Sequence, residues 1–281
     1  MNQSGISAGE RWLRMVEQEH SQSDSVRSQD PQPTDSWGVF AERFRPGAQN
    51  DEDPLVQRIL REVEPHHAVM DVGAGGGRLS LPISMYCKQV VAVEPSVSMG
   101  SILQEEAKKA GRDNISLVTS TWEEAKVESV DVVLCVQVLY TVKDIVPFIS
   151  KLVTHALEKV LVVLYENPPH SQANPLWPGV HGQQRLRLPS LRELMQVLWE
   201  MGIYPDLEMQ APQEPRGFES SERAMEQMRP RLMVEPGSDG ERRLEEVLTN
   251  LLYEEDGRFK IRGLPPFRPA LVSWRTAKHG V

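Results

Sequence analysis

The densest chemical signal in the chain is a ten-residue stretch, Val69-Met70-Asp71-Val72-Gly73-Ala74-Gly75-Gly76-Gly77-Arg78. Glycines at 73, 75 and 77 follow directly on a short apolar run and open a segment of helical spacing. Without a Cβ, such positions permit a tight turn and let a ligand come close to the backbone. Glu94 lies twenty-one residues beyond Gly73, at the end of the next apolar run, Val90-Val91-Ala92-Val93. A carboxylate placed there can accept two hydrogen bonds from a ribose diol. A glycine-rich loop alone is weak. Strand, glycines, helix, strand and terminal acid in this order form a nucleoside-binding signature.

Two cofactor classes use that layout. A dinucleotide site expects G-x-G-x-x-G with a helix N-terminus facing a pyrophosphate. Here the spacing is the compact G-x-G-x-G, with Asp71 two residues before the first glycine. An acid at that point suits a cationic ligand and is badly placed beside a pyrophosphate. S-Adenosylmethionine carries an ammonium, a carboxylate and a sulfonium, and no phosphate. On these residues the chain resembles the class I S-adenosylmethionine-dependent methyltransferases. Their first motif corresponds to Asp71-Val72-Gly73-Ala74-Gly75-Gly76-Gly77, their ribose acid to Glu94 in Val93-Glu94-Pro95-Ser96, and their fourth strand to Val130–Gln137. The resemblance implies cofactor contacts at Asp71, Gly73, Ala74, Gly75, Gly77, Glu94, Pro95, Thr121, Trp122 and Gln137. Thr121 replaces the acid that the family carries near the adenine, which leaves Trp122 to offer backbone or stacking contacts. The acceptor is left open by this resemblance.

The elements that must position these residues alternate. Apolar runs at 68–72, 89–93, 115–118, 130–136 and 159–165 read as buried strands, and helical spacing separates them at 78–86, 98–110 and 144–156. Such alternation implies right-handed βαβ units and an α/β fold with helices on both faces of the sheet. The helix at 190–201, a strand at 203–209 and a last strand at 270–274 complete the pattern. By the resemblance the sheet is Rossmann-like and mostly parallel, with seven strands and the last antiparallel. A helical insertion of about 212–262, with segments at 220–229 and 240–253, precedes that last strand. Residues 1–36 are expected to be a short helix over Glu10–Glu19 followed by a flexible linker from Ser21 to Ser36. Residues 37–281 are expected to form the methyltransferase domain. In related enzymes a segment like Trp37–Arg45 folds as a lid, with Arg43 or Arg45 on the methionine carboxylate and Trp37 and Phe40 over the site. The alternative is an ordinary amphipathic helix capping the sheet.

Methyl transfer from a sulfonium needs alignment of the nucleophile and exclusion of water, and a base only if the acceptor arrives protonated. Tyr140, His170 and His181 are the candidates for that base. Asn167-Pro168-Pro169-His170 is similar to the Asn-Pro-Pro-aromatic motif of enzymes that methylate base amines. It follows the fifth strand rather than the fourth and lacks the aromatic, so loop-forming prolines explain it.

Composition narrows the partners. A net charge of -9 disfavours a phosphate backbone as ligand, and the densest basic stretch, Gln183–Arg187, is too short for a nucleic-acid footprint. The acceptor is therefore expected to be a small molecule. Cys87 and Cys135 form no metal-ligand pattern, and no metal is expected. No apolar run reaches the ~20 residues of a membrane span, and the polar N-terminus does not read as a secretory signal. A cytoplasmic protein is expected. A nicotinamide-dependent oxidoreductase and a non-catalytic cofactor-binding partner protein are the competing readings.

Overall fold

The computed structural model describes residues 5–27 and 53–276, together with 35, 38, 41–42 and 45–46. Helix α1 (Ala8–Val26) leads into α2 (Pro54–Leu60), and then strands and helices alternate: β1 (Ala68–Val72), α3 (Ser80–Ile83), β2 (Gln89–Val93), α4 (Val97–Lys109), β3 (Ile115–Val118) and β4 (Val130–Val136). Next come α5 (Ile145–His155), β5 (Ala156–Tyr165), α6 (Trp177–His181), α7 (Leu191–Glu200) and β6 (Asp206–Met209). The insertion holds α8 (Ser221–Arg231), α9 (Asp239–Leu251) and a hairpin of β7 (Leu252–Glu255) and β8 (Arg258–Ile261); β9 (Pro269–Arg275) closes the sheet.

The seven strands run in the order β3-β2-β1-β4-β5-β9-β6. Strands β1 to β5 pair in parallel, and β9 lies antiparallel between β5 and β6. This is the expected Rossmann-like α/β architecture. The central strands are apolar throughout because both faces are covered. Alternation sends Met70, Val72, Val133 and Cys135 into the layer beneath α5 and α7, and Val69, Val132 and Leu134 into the layer beneath α2 and α3. Reversal of the strand order at β1 and β4 opens a crevice at their C-terminal ends, the usual ligand position in open α/β sheets.

Three local features differ from the sequence reading. First, α1 continues through residues 21–26, so that part of the expected linker is helix, and the helix belongs to the core. Trp12 and Val16 are fully buried in the layer beneath α5 and α7, and the Trp12 indole donates to Val142 O at 2.7 Å. Gln22 adds two hydrogen bonds to the segment between α6 and α7: its Nε2 donates to Gln184 O, and its Oε1 accepts from Leu186 N. Asp35, also placed in the linker, accepts from Ser98 N and Ser96 Oγ at the start of α4. Second, α3 is a single turn, because after Ser84 its bonds tighten to the i→i−3 pattern at Met85 and Tyr86. Third, the insertion is not purely helical, since α9 stops at Leu251 and the chain turns through Asp256-Gly257 into β8. No helix among the described residues is long and apolar enough to cross a membrane.

Truncation of a fully buried tryptophan costs about 3–5 kcal/mol. Trp12→Ala is therefore expected to lose that much in urea unfolding. A loss below about 1 kcal/mol would mean that α1 is a detachable appendage.

Candidate active site

The glycine loop folds back across the tips of β1 and β2. Gly73 N and Ala74 N both donate to Val93 O, at 2.8 and 3.2 Å, and Gly77 N donates to Ala74 O at 3.0 Å. All three glycines adopt left-handed φ, 77°, 55° and 92°. What a Cβ would meet separates them. At Gly73 it would collide with Val138 Cγ2, and at Gly77 it would lie 3.2 Å from Leu103 Cγ; at Gly75 it would meet nothing within 4 Å. Packing of the protein itself therefore demands the first glycine and crowds the third. The second borders open space, as a cradle for a ligand requires.

Glu94 closes this cradle from the end of β2. Its Oε2 accepts from Gly75 N and its Oε1 from Ser96 N, both at 2.8 Å. The side chain is buried, and burial raises its pKa against the two N–H donors that lower it; the charge of Asp35 adds to the rise. Each carboxylate oxygen keeps a lone pair for a further donor. Asp71 lies beneath the loop, buried, with its Oδ2 accepting from Ser80 Oγ at 2.7 Å. Burial lifts its pKa to about 6; the Ser80 hydroxyl opposes the shift and the Glu94 charge adds to it. The loop thus rests on two desolvated carboxyl groups.

At the tip of β4, Gln137 sits at φ 63°. A left-handed conformation costs a non-glycine residue about 1–2 kcal/mol, and such strain clusters at functional sites. Its Oε1 accepts from the Tyr140 hydroxyl, whose oxygen accepts from Tyr165 N at 2.7 Å. Gln137 Nε2 is buried without a hydrogen-bond partner. Burial drives the Tyr140 phenol far above its ordinary pKa, so Tyr140 stays protonated and does not fit the role of base.

The remaining candidates scatter. Pro95 and Thr121 are exposed on the same edge, after β2 and β3. The Trp122 indole turns into the core: its Nε1 donates to Phe148 O at 3.2 Å, and Lys151 Nζ stands 4.7 Å from its ring centre. The expected stacking on a ligand is thereby corrected, and Trp122 O already accepts from Lys151 Nζ at 2.6 Å. His170 lies in the turn Pro169–Ala173 after β5. Burial, aided by the nearby Arg185 charge, lowers its pKa to about 4 against a hydrogen bond with the Leu186 backbone, so the ring is neutral. Its Nε2 is buried without a partner. His181 is placed elsewhere, in the insertion's packing, with Nε2 2.9 Å from Leu232 O and its ring 4.2 Å from that of Trp177.

Arg45 pairs with Glu42 and with Glu105 and Glu106 of α4, which occupies the guanidinium that the lid reading reserved for a carboxylate. Trp37, Phe40 and Arg43 lie outside the described residues. Glu64, His66 and His67 bring possible ligand atoms within 4.8 Å of one another, but at the N-terminal end of β1, away from the glycine loop.

Sequence reasoning missed Arg185, which it read only as part of a short basic stretch. Its buried guanidinium pairs with buried Glu19 of α1 and stacks 3.7 Å from the Trp177 ring centre.

Comparison with known proteins agrees with this geometry. A family profile described as a methyltransferase domain matches residues 70–157, the span from the glycine loop to the start of β5. The ubiquinone biosynthesis O-methyltransferase of Rickettsia canadensis is 30% identical over 107 residues, covering 36% of this chain and 45% of that protein. The chain thus spans less than half the length of this curated relative. Among solved structures, YcgJ of Bacillus subtilis superposes with a TM-score of 0.55 at 16% identity, over 79% of this chain and 98% of that one. The [4+2]-cyclase SpnF superposes with a TM-score of 0.52 at 13% identity, over 97% of both chains.

Asp71 makes stability depend on pH with a definite sign. Its folded pKa of about 6 lies above the ordinary 3.8, so the native state holds a proton that the unfolded state has released. Its contribution is thus greatest below about pH 4 and falls as pH rises towards 6. The change amounts to about 3 kcal/mol at ~1.4 kcal/mol per pKa unit. Urea unfolding from pH 4 to 7 should show the wild type losing about that much relative to Asp71→Asn. A difference that does not change with pH would mean that Asp71 has an ordinary pKa.

Proposed function

From the Rossmann-like class I methyltransferase fold that the chain carries, we propose that it binds S-adenosylmethionine at the glycine loop and methylates a small-molecule acceptor. The observation that carries this reading is the cradle itself: open space over Gly75, walled by the Glu94 carboxylate. Bound there, S-adenosylmethionine would supply an electrophilic methyl group on a sulfonium. Glu94, with a lone pair left on each oxygen, holds the ribose hydroxyls. Asp71, beneath the loop, offers negative charge to a cationic ligand. Gly73 and Ala74 shape the turn, Gly77 packs it onto α4, and Pro95 and Thr121 flank the adenine side. Gln137 supplies a buried N–H donor at the β4 tip, beside the position where the acceptor meets the methyl group. None of the three base candidates fits the role. Tyr140 stays protonated, and His181 Nε2 lies against Leu232 O. Burial leaves His170 with a pKa of about 4, too weak a base to take a proton from the acceptor near neutral pH.

Electrostatics argues against a dinucleotide. Asp71, buried beneath the loop, opposes a pyrophosphate, and the one-turn α3 offers little helix dipole to offset it. The acidic chain likewise favours a small molecule over nucleic acid. The Rickettsia relative, by name, methylates an oxygen in ubiquinone biosynthesis; an oxygen nucleophile on the acceptor is consistent with the site. SpnF has the same fold and is named for another reaction, so turnover has to be tested apart from binding.

Glu94→Ala should remove ~1.5–3 kcal/mol of charge-assisted hydrogen bonding, a 10- to 150-fold loss of S-adenosylmethionine affinity in calorimetry at roughly 1.4 kcal/mol per tenfold. A change under twofold would assign the ribose to another residue. Gly75→Val should bind no S-adenosylmethionine while remaining folded by circular dichroism; unchanged affinity would refute the cradle. Wild-type protein given a metabolite extract should convert S-adenosylmethionine to S-adenosylhomocysteine. Tight binding without turnover in any extract would favour a non-catalytic role.

A further inference from the structure

Ser96 makes three hydrogen bonds that tie separate parts of the candidate site together. Its N–H donates to Glu94 Oε1 at 2.8 Å, its Oγ accepts from Met99 N at 3.1 Å, and its hydroxyl donates to Asp35 Oδ2 at 3.0 Å. Ser96 is the N-cap of α4 and has extended backbone. Its side chain therefore serves the first turn of the helix, while its own N–H lies outside the helical ladder and is left for Glu94. Asp35 Oδ2 accepts a second bond, from Ser98 N at 3.1 Å. One carboxylate oxygen thus fixes both the cap hydroxyl and the start of the helix.

Asp35 is itself held in place. Its Oδ1 and its backbone O both accept from Gly38 N, at 3.0 and 3.1 Å. Farther along the same segment, Ala41 is buried against Met99 and Ile102, and Arg45 pairs with Glu105 and Glu106. These described residues follow α4 from its first turn towards its end, and so anchor Asp35 on the helix. Glu94, in turn, depends on what Asp35 fixes. Its backbone donors are Gly75 N and Ser96 N, one on each oxygen. A buried carboxylate that loses one of two donors is costly to keep in place and is free to turn about the other. The two acids also sense each other: the Glu94 pKa is raised first by burial, and the Asp35 charge adds to the rise.

We propose that Asp35 is a positioning residue for ribose recognition: through Ser96 it fixes the turn that holds the Glu94 carboxylate in place. The word ribose rests on the S-adenosylmethionine reading above; the hold on Glu94 does not. Calorimetry on the full chain would compare Asp35→Ala in the wild type and in Glu94→Ala. With Glu94 present, the substitution should weaken S-adenosylmethionine about fivefold or more, and by no more than Glu94→Ala itself does. With Glu94 removed, it should change affinity by less than about twofold, because nothing is left to position. Equal losses in the two backgrounds, as a merely structural role would give, overturn the proposal, and so does a wild-type loss under about twofold. Amide hydrogen exchange reads the same hold without any ligand. In Asp35→Ala the Ser96 N–H should exchange about tenfold faster or more, with Val133 of β4 unchanged. Unaltered protection at Ser96 would overturn the proposal whatever the affinities show. Failure of the wild type to bind S-adenosylmethionine would count against the cofactor reading alone, and the exchange comparison would still decide whether Asp35 fixes the turn.

Discussion

Glu94 holds the candidate site together by hydrogen-bonding two backbone segments at once. One oxygen accepts from the glycine loop at Gly75 and the other from the turn into α4 at Ser96, so the C-terminal ends of β1 and β2 are tied through one buried carboxylate. Burying such a charge is costly unless donors surround it, and here the backbone supplies them. Asp71 shares the same low-dielectric space and has its pKa raised by burial and by Glu94. The two acids together place negative charge at the loop, where the proposed cationic ligand would sit.

Around that pair, the sheet does the positioning. Strands β1 and β4 present Asp71 and Gln137 at neighbouring C-terminal tips, and β5 brings Tyr165 beside them, its N–H on the Tyr140 hydroxyl that holds Gln137. The left-handed Gln137 and its unpartnered amide nitrogen mark the point where the backbone departs from what packing alone would choose. Since the same architecture is found in a cyclase, the fold alone does not determine the reaction. The reaction depends on the side chains at this edge.

Much of this was legible in the sequence, for physical reasons. Buried parallel strands must be continuous apolar runs, so β1 to β5 announce themselves, and glycines forced by a turn cannot be replaced without a clash. Glu94 was legible because an acid at the end of an apolar strand has few structural excuses. Other features were hidden because their burial is decided by distant partners. Trp12 read as part of a short helix ahead of a linker, yet it is fully buried under α5 and α7. Trp122 seemed free to stack on a ligand, but its indole hydrogen bond goes to Phe148, twenty-six residues away in the chain. His181 stood in a loop rich in Trp and Pro, and it is the insertion, folded from residues far downstream, that captures its ring. The hairpin β7–β8 was masked by the helical spacing that runs into it.

The claim that a cation-binding cradle rests on two desolvated carboxyl groups is tested most directly by counting protons. Calorimetric titration of S-adenosylmethionine at pH 6, repeated in two buffers of different ionisation enthalpy, measures the protons exchanged on binding. With Asp71 near its midpoint at about 6, arrival of a cationic ligand should stabilise the carboxylate and release roughly half a proton per site, with none released by Asp71→Asn. Failure to bind, or binding with the same proton exchange in the wild type and Asp71→Asn, would contradict the account.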